Sequence, residues 1–265
     1  MSKAKLVFFG NQKLATGIDS KPVVTEALKK AGYEIASEVT GEVPSNVETL
    51  GAEAAVLVAY GRIIPQAMID LFPKGIINIH PSLLPKYRGP TPIEQAILDG
   101  AVETGVSLMK LSATMDAGPV FASAKIQLSG DETKQALADK LLSTGTELLI
   151  DSLPAILEGS AEAKPQDDSK ATYTSLIKKA DGYTNFGEPA ELIERKVRAY
   201  DGWPRVRTLF EGHEVLLTKV RTVSEPLDKS FSVKCDPGWL EIQELIGPSG
   251  RTMSGADFLR GYKKS

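Results

Sequence analysis

The chain is poor in the residues that build most metal and redox centres. Its 265 residues include one cysteine, Cys235, and two histidines, His80 and His213. A single cysteine excludes an internal disulfide, and so few soft ligands argue against a His/Cys metal cage. No apolar run approaches the roughly 20 residues that a membrane-spanning helix needs. The opening MSKAKLVFFG starts basic, but its apolar stretch is short and ends at Gly10-Asn11-Gln12-Lys13, so it reads as a first strand and not as a signal peptide. No Gly-x-Gly-x-x-Gly turn follows that strand, which argues against a nicotinamide cofactor. Internal repeats and low-complexity tracts are also absent. The expectation is a cytoplasmic globular protein, outside the membrane and without a metal.

The net charge of -3 conceals an asymmetry. Residues 1–190 carry 18 basic against 23 acidic side chains (-5), and residues 191–265 carry 13 against 11 (+2). A mildly basic end on an acidic body hints at a polyanionic partner there, although a difference of this size is more often just solvated surface.

The first half alternates short apolar runs with helical patterns. KLVFFG, YEIASEV, AAVLVAYG and GIINIH read as strands, and VVTEALKKAG, SNVETLG (capped by Ser45, with Glu48 at the capping-box spacing) and IPQAMIDLF read as helices. This alternation predicts an α/β fold with a Rossmann-like parallel sheet. Ligands of such sheets bind beyond the carboxyl ends of the strands, here at Ala59-Tyr60-Gly61 and Asn78-Ile79-His80. TPIEQAILDG continues as a helix, TGVSLMKL and GPVFASAKIQL as strands, and residues 131–159 as one long helix or two, with Pro154 as the kink.

Residues 161–189 are polar and turn-rich, which predicts a linker between domains at 1–160 and 190–265. Beyond a capped helix (ELIERKVRAY), short alternating segments from Trp203 onward predict a small, OB-like β-barrel.

The chemistry concentrates in one stretch. Asn78 and His80 stand two residues apart at the end of a strand, so both side chains face the same side. Pro81 and Pro85 stiffen the next turn around Ser82-Leu83-Leu84, and Asp116 lies in a second loop, Met115-Asp116-Ala117-Gly118. An amide that donates to an oxyanion, an imidazole that relays a proton and a carboxylate that orients the imidazole suffice for acyl transfer to an amine. A strand-end histidine and an Asp-Ala-Gly turn are also ordinary structural features. The trio alone does not decide the function.

The whole pattern is more specific. Asn78-x-His80, Pro81-Ser82-Leu83-Leu84-Pro85, Tyr87-Arg88-Gly89 and Met115-Asp116-Ala117-Gly118 together resemble the formyltransferases that use 10-formyltetrahydrofolate. The resemblance implies catalytic roles for Asn78, His80 and Asp116. It implies a folate site lined by Ala59, Tyr60, Gly61 and Ile63, by Ser82, Leu83, Leu84 and Pro85, and by Gly89. Ala171-Thr172-Tyr173, Lys178-Lys179-Ala180-Asp181-Gly182, the segment Ile193 to Tyr200, Trp203-Pro204 and the closing Ser254 to Tyr262 are similar to the branch of this family that formylates methionyl-tRNA. That likeness implies initiator methionyl-tRNA as partner, a monomer, and tRNA contacts from Arg88, Lys178, Lys179, Arg195, Arg198, Arg205 and Arg207, with Lys196, Lys263 and Lys264 as further cations.

One departure stands out. The family's long basic loop after the second strand is replaced by Gly41-Glu42-Val43-Pro44. An amino sugar nucleotide as acceptor, or a non-catalytic folate- or RNA-binding homologue, are the competing readings.

Overall fold

The computed structural model describes residues 4–10, 20–42 and 51–262. The chain divides into two compact units, one formed by residues 1–93, 102–129 and 135–175, the other by 94–101, 130–134 and 176–265.

The first unit is built on a six-stranded sheet of order β2-β1-β3-β4-β5-β6. Its strands are β1 (Lys5–Gly10), β2 (Glu34–Val39), β3 (Ala54–Val58), β4 (Ile76–His80), β5 (Glu103–Lys110) and β6 (Val120–Gln127). The pairs β1-β2, β1-β3 and β3-β4 are parallel, as the alternating pattern predicts. The pairs β4-β5 and β5-β6 are antiparallel, which extends that parallel core into a mixed sheet. Every residue of β3 and β4 is buried, in keeping with their unbroken apolar sequences.

Helices α1 (Ser20–Lys30) and α2 (Gln66–Ile69) connect the parallel strands. α1 ends with Lys29 and Lys30 in its last turn, cations that complement the helix dipole. α2 spans four residues and is shorter than the IPQAMIDLF pattern predicts. The chain leaves it through successive turns that bury Phe72 beside Phe9, with ring centroids 6.1 Å apart. The expected helix at SNVETLG lies outside the described residues.

Helix α3 (Pro92–Leu98) precedes β5, and α4 (Lys134–Glu158) runs unbroken through Pro154 as one helix. Gly145 lets α4 approach the sheet closely, because a β-carbon there would stand 2.6 Å from Ile79 Cγ2 and 3.0 Å from Val106 Cγ1. Residues 161–175 form part of the first unit. Lys164 pairs with Val120, Tyr173 pairs with Arg88, and a 3-10 turn forms at Asp168–Lys170.

The second unit carries α5 (Ala190–Ala199) and the strands β7 (Val206–Phe210), β8 (His213–Val223), β9 (Ser232–Lys234), β10 (Trp239–Ile246) and β11 (Thr252–Ser254), followed by α6 (Gly255–Tyr262). All of these strand pairings are antiparallel, in the order β11-β10-β8-β7 with β9 beside β10. A two-residue turn, Glu211-Gly212, joins β7 to β8 with both residues at positive φ, the geometry that matches strand twist. Phe210, Phe231 and Phe258 meet in the core, with Phe210 and Phe231 centroids 4.6 Å apart.

Candidate functional site

Strand β4 places Asn78 and His80 on one side of the sheet, at 6% and 5% exposure. The imidazole is fixed by a backbone carbonyl. His80 Nε2 lies 3.0 Å from Tyr87 O, and a carbonyl can only accept, so Nε2 carries the hydrogen in neutral His80. The Nδ1 lone pair is thereby left on the opposite edge of the ring, 3.7 Å from Asp116 Oδ1. That separation is too long for a direct hydrogen bond. The carboxylate is instead held through Oδ2, which accepts from Gly89 N–H at 2.7 Å. The sequence pattern gives the orienting role to Asp116, and the geometry gives the orienting hydrogen bond to Tyr87 O.

Two acceptors therefore stand side by side at the end of β4. A group carrying more than one N–H, such as a primary amine, satisfies both at once. Asn78, two residues before His80, supplies an amide able to donate to a developing negative oxygen.

The turn after β4 is braced from below. Ser82 is fully buried, and its hydroxyl donates to Lys86 O at 2.6 Å. Ser107 on β5 donates to Ser82 O at 2.8 Å and accepts from Leu84 N–H at 3.1 Å. Ser82 thus shapes the loop, and its side chain is not open to a folate as the resemblance implies. Ser107 is a supporting residue that the sequence pattern does not single out, since its inward direction depends on the antiparallel pairing of β5 with β4. Leu83 is half-buried against Gly105, where a β-carbon would stand 2.6 Å from Leu83 Cδ2, and Leu84 and Pro85 are half-buried.

At the end of β3, Ala59 and Gly61 are exposed and both have positive φ. Tyr60 turns inward, its ring 5.4 Å from that of Phe9 and its hydroxyl donating to Gly41 O. Ile63 is 93% exposed. Exposed backbone beside apolar side chains fits a planar heteroaromatic ring whose edge bears donors and acceptors.

The expected tRNA contacts divide by environment. Arg88 is 2% exposed, with its guanidinium bonded to Gln166, Asp168 and Tyr173, so no phosphate reaches it. This corrects its assignment as a tRNA contact. In the second unit, Lys178, Lys179 and Arg205 are exposed. Arg195 pairs with Glu191, and Arg198 pairs with Glu194 while donating to Glu132 O. Lys196 pairs with Glu188. Arg207 is half-buried, 3.6 Å from Glu214 and 5.6 Å from the Tyr183 ring centroid. Lys263 and Lys264 lie outside the described residues. Among the described residues, no three His, Cys, Asp or Glu side chains form a metal-binding group, and no helix is long and apolar enough to cross a membrane.

Comparison with known proteins adds family context. The Formyl transferase family matches residues 5–153, and the Formyl transferase, C-terminal domain matches residues 176–263. The methionyl-tRNA formyltransferase of Chloroflexus aggregans is 38% identical over 257 residues, covering 91% of this chain and 82% of that protein. Among solved structures, a methionyl-tRNA formyltransferase from Clostridium thermocellum aligns with TM-score 0.66 at 17% identity, over 84% of this chain and 96% of that one. HypX from Aquifex aeolicus, in complex with tetrahydrofolic acid, aligns with TM-score 0.72 at 18% identity, over 99% of this chain and 48% of that one. At those identities the two structures speak for the fold alone.

Proposed function

The chain belongs to the formyl transferase family, and from that membership we propose that it transfers the formyl group of 10-formyltetrahydrofolate to the α-amine of methionyl-initiator tRNA. The observation that carries the reading is the acceptor pair, His80 Nδ1 and Asp116 Oδ1, set beside Asn78 at the end of β4.

The α-amine enters with its hydrogens toward Nδ1 and Oδ1, which aims its lone pair at the formyl carbon. As the new C–N bond forms, the formyl oxygen gains negative charge, and the Asn78 amide donates to it. Loss of one such donor typically costs about 3–4 kcal/mol of barrier. Nδ1 takes the proton released by the amine, and the Asp116 carboxylate stabilises the resulting imidazolium. When the bond to the folate nitrogen breaks, His80 returns that proton to the leaving nitrogen. Tetrahydrofolate and formylated aminoacyl-tRNA leave, and the residues regain their starting protonation. Leu83, Ile63 and the Ala59-Tyr60-Gly61 backbone would line the folate, keeping water from the formyl carbon.

The test is formyl transfer to initiator methionyl-tRNA, with elongator methionyl-tRNA and an amino sugar nucleotide as parallel acceptors. Transfer to the initiator alone is expected. Transfer to the sugar nucleotide and to neither tRNA would keep the folate chemistry and overturn the acceptor.

Binding of tRNA should draw on the exposed cations Lys178, Lys179 and Arg205. Three phosphate contacts give a log–log salt slope of about -2.7, so raising salt from 50 to 200 mM should weaken binding roughly 40-fold. The double variant Lys178→Ala/Lys179→Ala should reduce that slope by about 2. A titration whose slope is the same in the variant would remove these lysines from the interface.

A further inference from the structure

We infer that Gln166, gripped by the buried Arg88, is a positioning residue that sets where the Asp116 carboxylate stands. The inference rests on the reading of Asp116 as part of the reaction site.

Asp116 lies in the loop between β5 and β6 with φ of 48°, a left-handed conformation that aspartate tolerates in turns, and its backbone is further constrained by a side-chain hydrogen bond to its carbonyl. Gln166 supplies that constraint. Its Nε2 donates to Asp116 O at 2.8 Å and to Gly118 O at 2.7 Å, so one amide clamps two carbonyls of the loop. Its Oε1 accepts from Arg88 Nε at 3.1 Å and Nη2 at 2.8 Å. Both contacts fix the sense of the amide. Reversal would set oxygen against two carbonyls and NH2 against a guanidinium.

Arg88 is itself immobilised. Nη2 donates to Asp168 Oδ1 at 2.7 Å and Nη1 to Tyr173 Oη at 3.2 Å, while its backbone pairs with Thr172 O and Thr174 N. Its sequence neighbours complete the arrangement. Tyr87 O holds His80, and Gly89 N–H holds the Asp116 carboxylate. Three consecutive residues therefore fix both halves of the acceptor pair, the middle one, Arg88, through Gln166. The half of the polar segment expected to be linker thus reaches into the candidate site.

Glutamate at position 166 is nearly isosteric with glutamine and keeps the contact with Arg88, but it cannot donate to two carbonyls. A packing role tolerates Gln166→Glu, and a positioning role does not. In single-turnover formyl transfer by the full chain, Gln166→Glu is expected to lower the rate at saturation by roughly 10- to 100-fold, the scale of a small misplacement of a catalytic group. KM for the folate donor should stay within about threefold. The distinguishing readout is the double-mutant cycle with Asp116→Asn. Once the carboxylate is gone its position has no value, so Gln166→Glu should cost less than about threefold further in that background. Arg88→Lys, which keeps the charge and loses the forked donor, should give the same coupling and stands in if Gln166→Glu does not fold.

A wild-type rate for both variants, or an equal loss with and without the Asp116 carboxylate, overturns the inference. A wild-type rate for Asp116→Asn itself would remove Asp116 from the reaction and overturn the mechanism together with it. A slow Asp116→Asn beside an unaffected Gln166→Glu overturns the role of Gln166 alone.

Discussion

His80→Ala is expected to lower kcat for formyl transfer by about 10³-fold, within the 10²–10⁴-fold range of a positioned general base. The substitution removes the imidazole whose Nδ1 lone pair faces Asp116 Oδ1 across 3.7 Å. An ammonium cannot attack a carbonyl carbon, and without the imidazole the amine loses the positioned base that takes up its proton. KM for the folate donor should change little, since Nδ1 acts on the acceptor amine and gains its value in the transition state. The variant also removes the His80 Nε2 hydrogen bond to Tyr87 O, worth about 0.5–1.5 kcal/mol net. His80→Asn separates the two effects, because it can donate toward Tyr87 O and cannot carry a proton through the reaction. If His80→Asn keeps the thermal stability of the parent and turns over within tenfold of it, the general-base role is wrong.

The strands that carry this site were readable because burial on both faces leaves near-continuous apolar runs, as in AAVLV and IINIH. The pairing of Asn78 with His80 followed from the two-residue period of a strand, which needs no tertiary information. What holds them was not readable in the same way. Tyr87 O and Gly89 N–H are backbone groups, and every residue in a sequence has them. The inward turn of Arg88 was hidden as well, since an arginine by residue type looks like a surface cation. Its buried niche comes from distant segments, through the pairing with Tyr173 and the contacts with Gln166 and Asp168. Gln166 sat in a polar, turn-rich stretch whose composition suits a linker and whose contacts, at Val120 and Asp116, lie more than 40 residues away. The engagement of Arg195 and Arg198 did leave a local signal. Glu191 and Glu194 precede them by four residues, the spacing of helical ion pairs, and that spacing separates them from the exposed Lys178, Lys179 and Arg205.

Gly118→Ala should be the most damaging single methyl group in the site. A β-carbon at position 118 would stand 1.8 Å from Lys110 O and 3.0 Å from Lys110 C, both backbone atoms at the end of β5 that no rotamer change can move. The adjacent backbone is tied as well, because Lys110 N–H donates to Pro119 O at 2.9 Å and Gly118 O accepts from Gln166. Either β5 frays at its end or the loop from Met115 to Pro119 lifts away from it. Both routes move the Asp116 carboxylate relative to Gly89 N–H and His80 Nδ1. The stability cost should reach the upper end of overpacking penalties, about 3 kcal/mol. In a chain of this size that corresponds to a fall in Tm of roughly 6–12 °C. The rate at saturation should fall by about 100-fold even at temperatures where the variant is folded, because displacement of a catalytic group by about 1 Å is costly in itself. Gly41→Ala is the matched control, since a β-carbon there has nothing within 4 Å, and it should leave both Tm and kcat at parental values. A Gly118→Ala enzyme with parental Tm and parental kcat would mean that the loop accommodates the methyl without moving Asp116, and the rigid placement of that carboxylate would no longer explain the reaction.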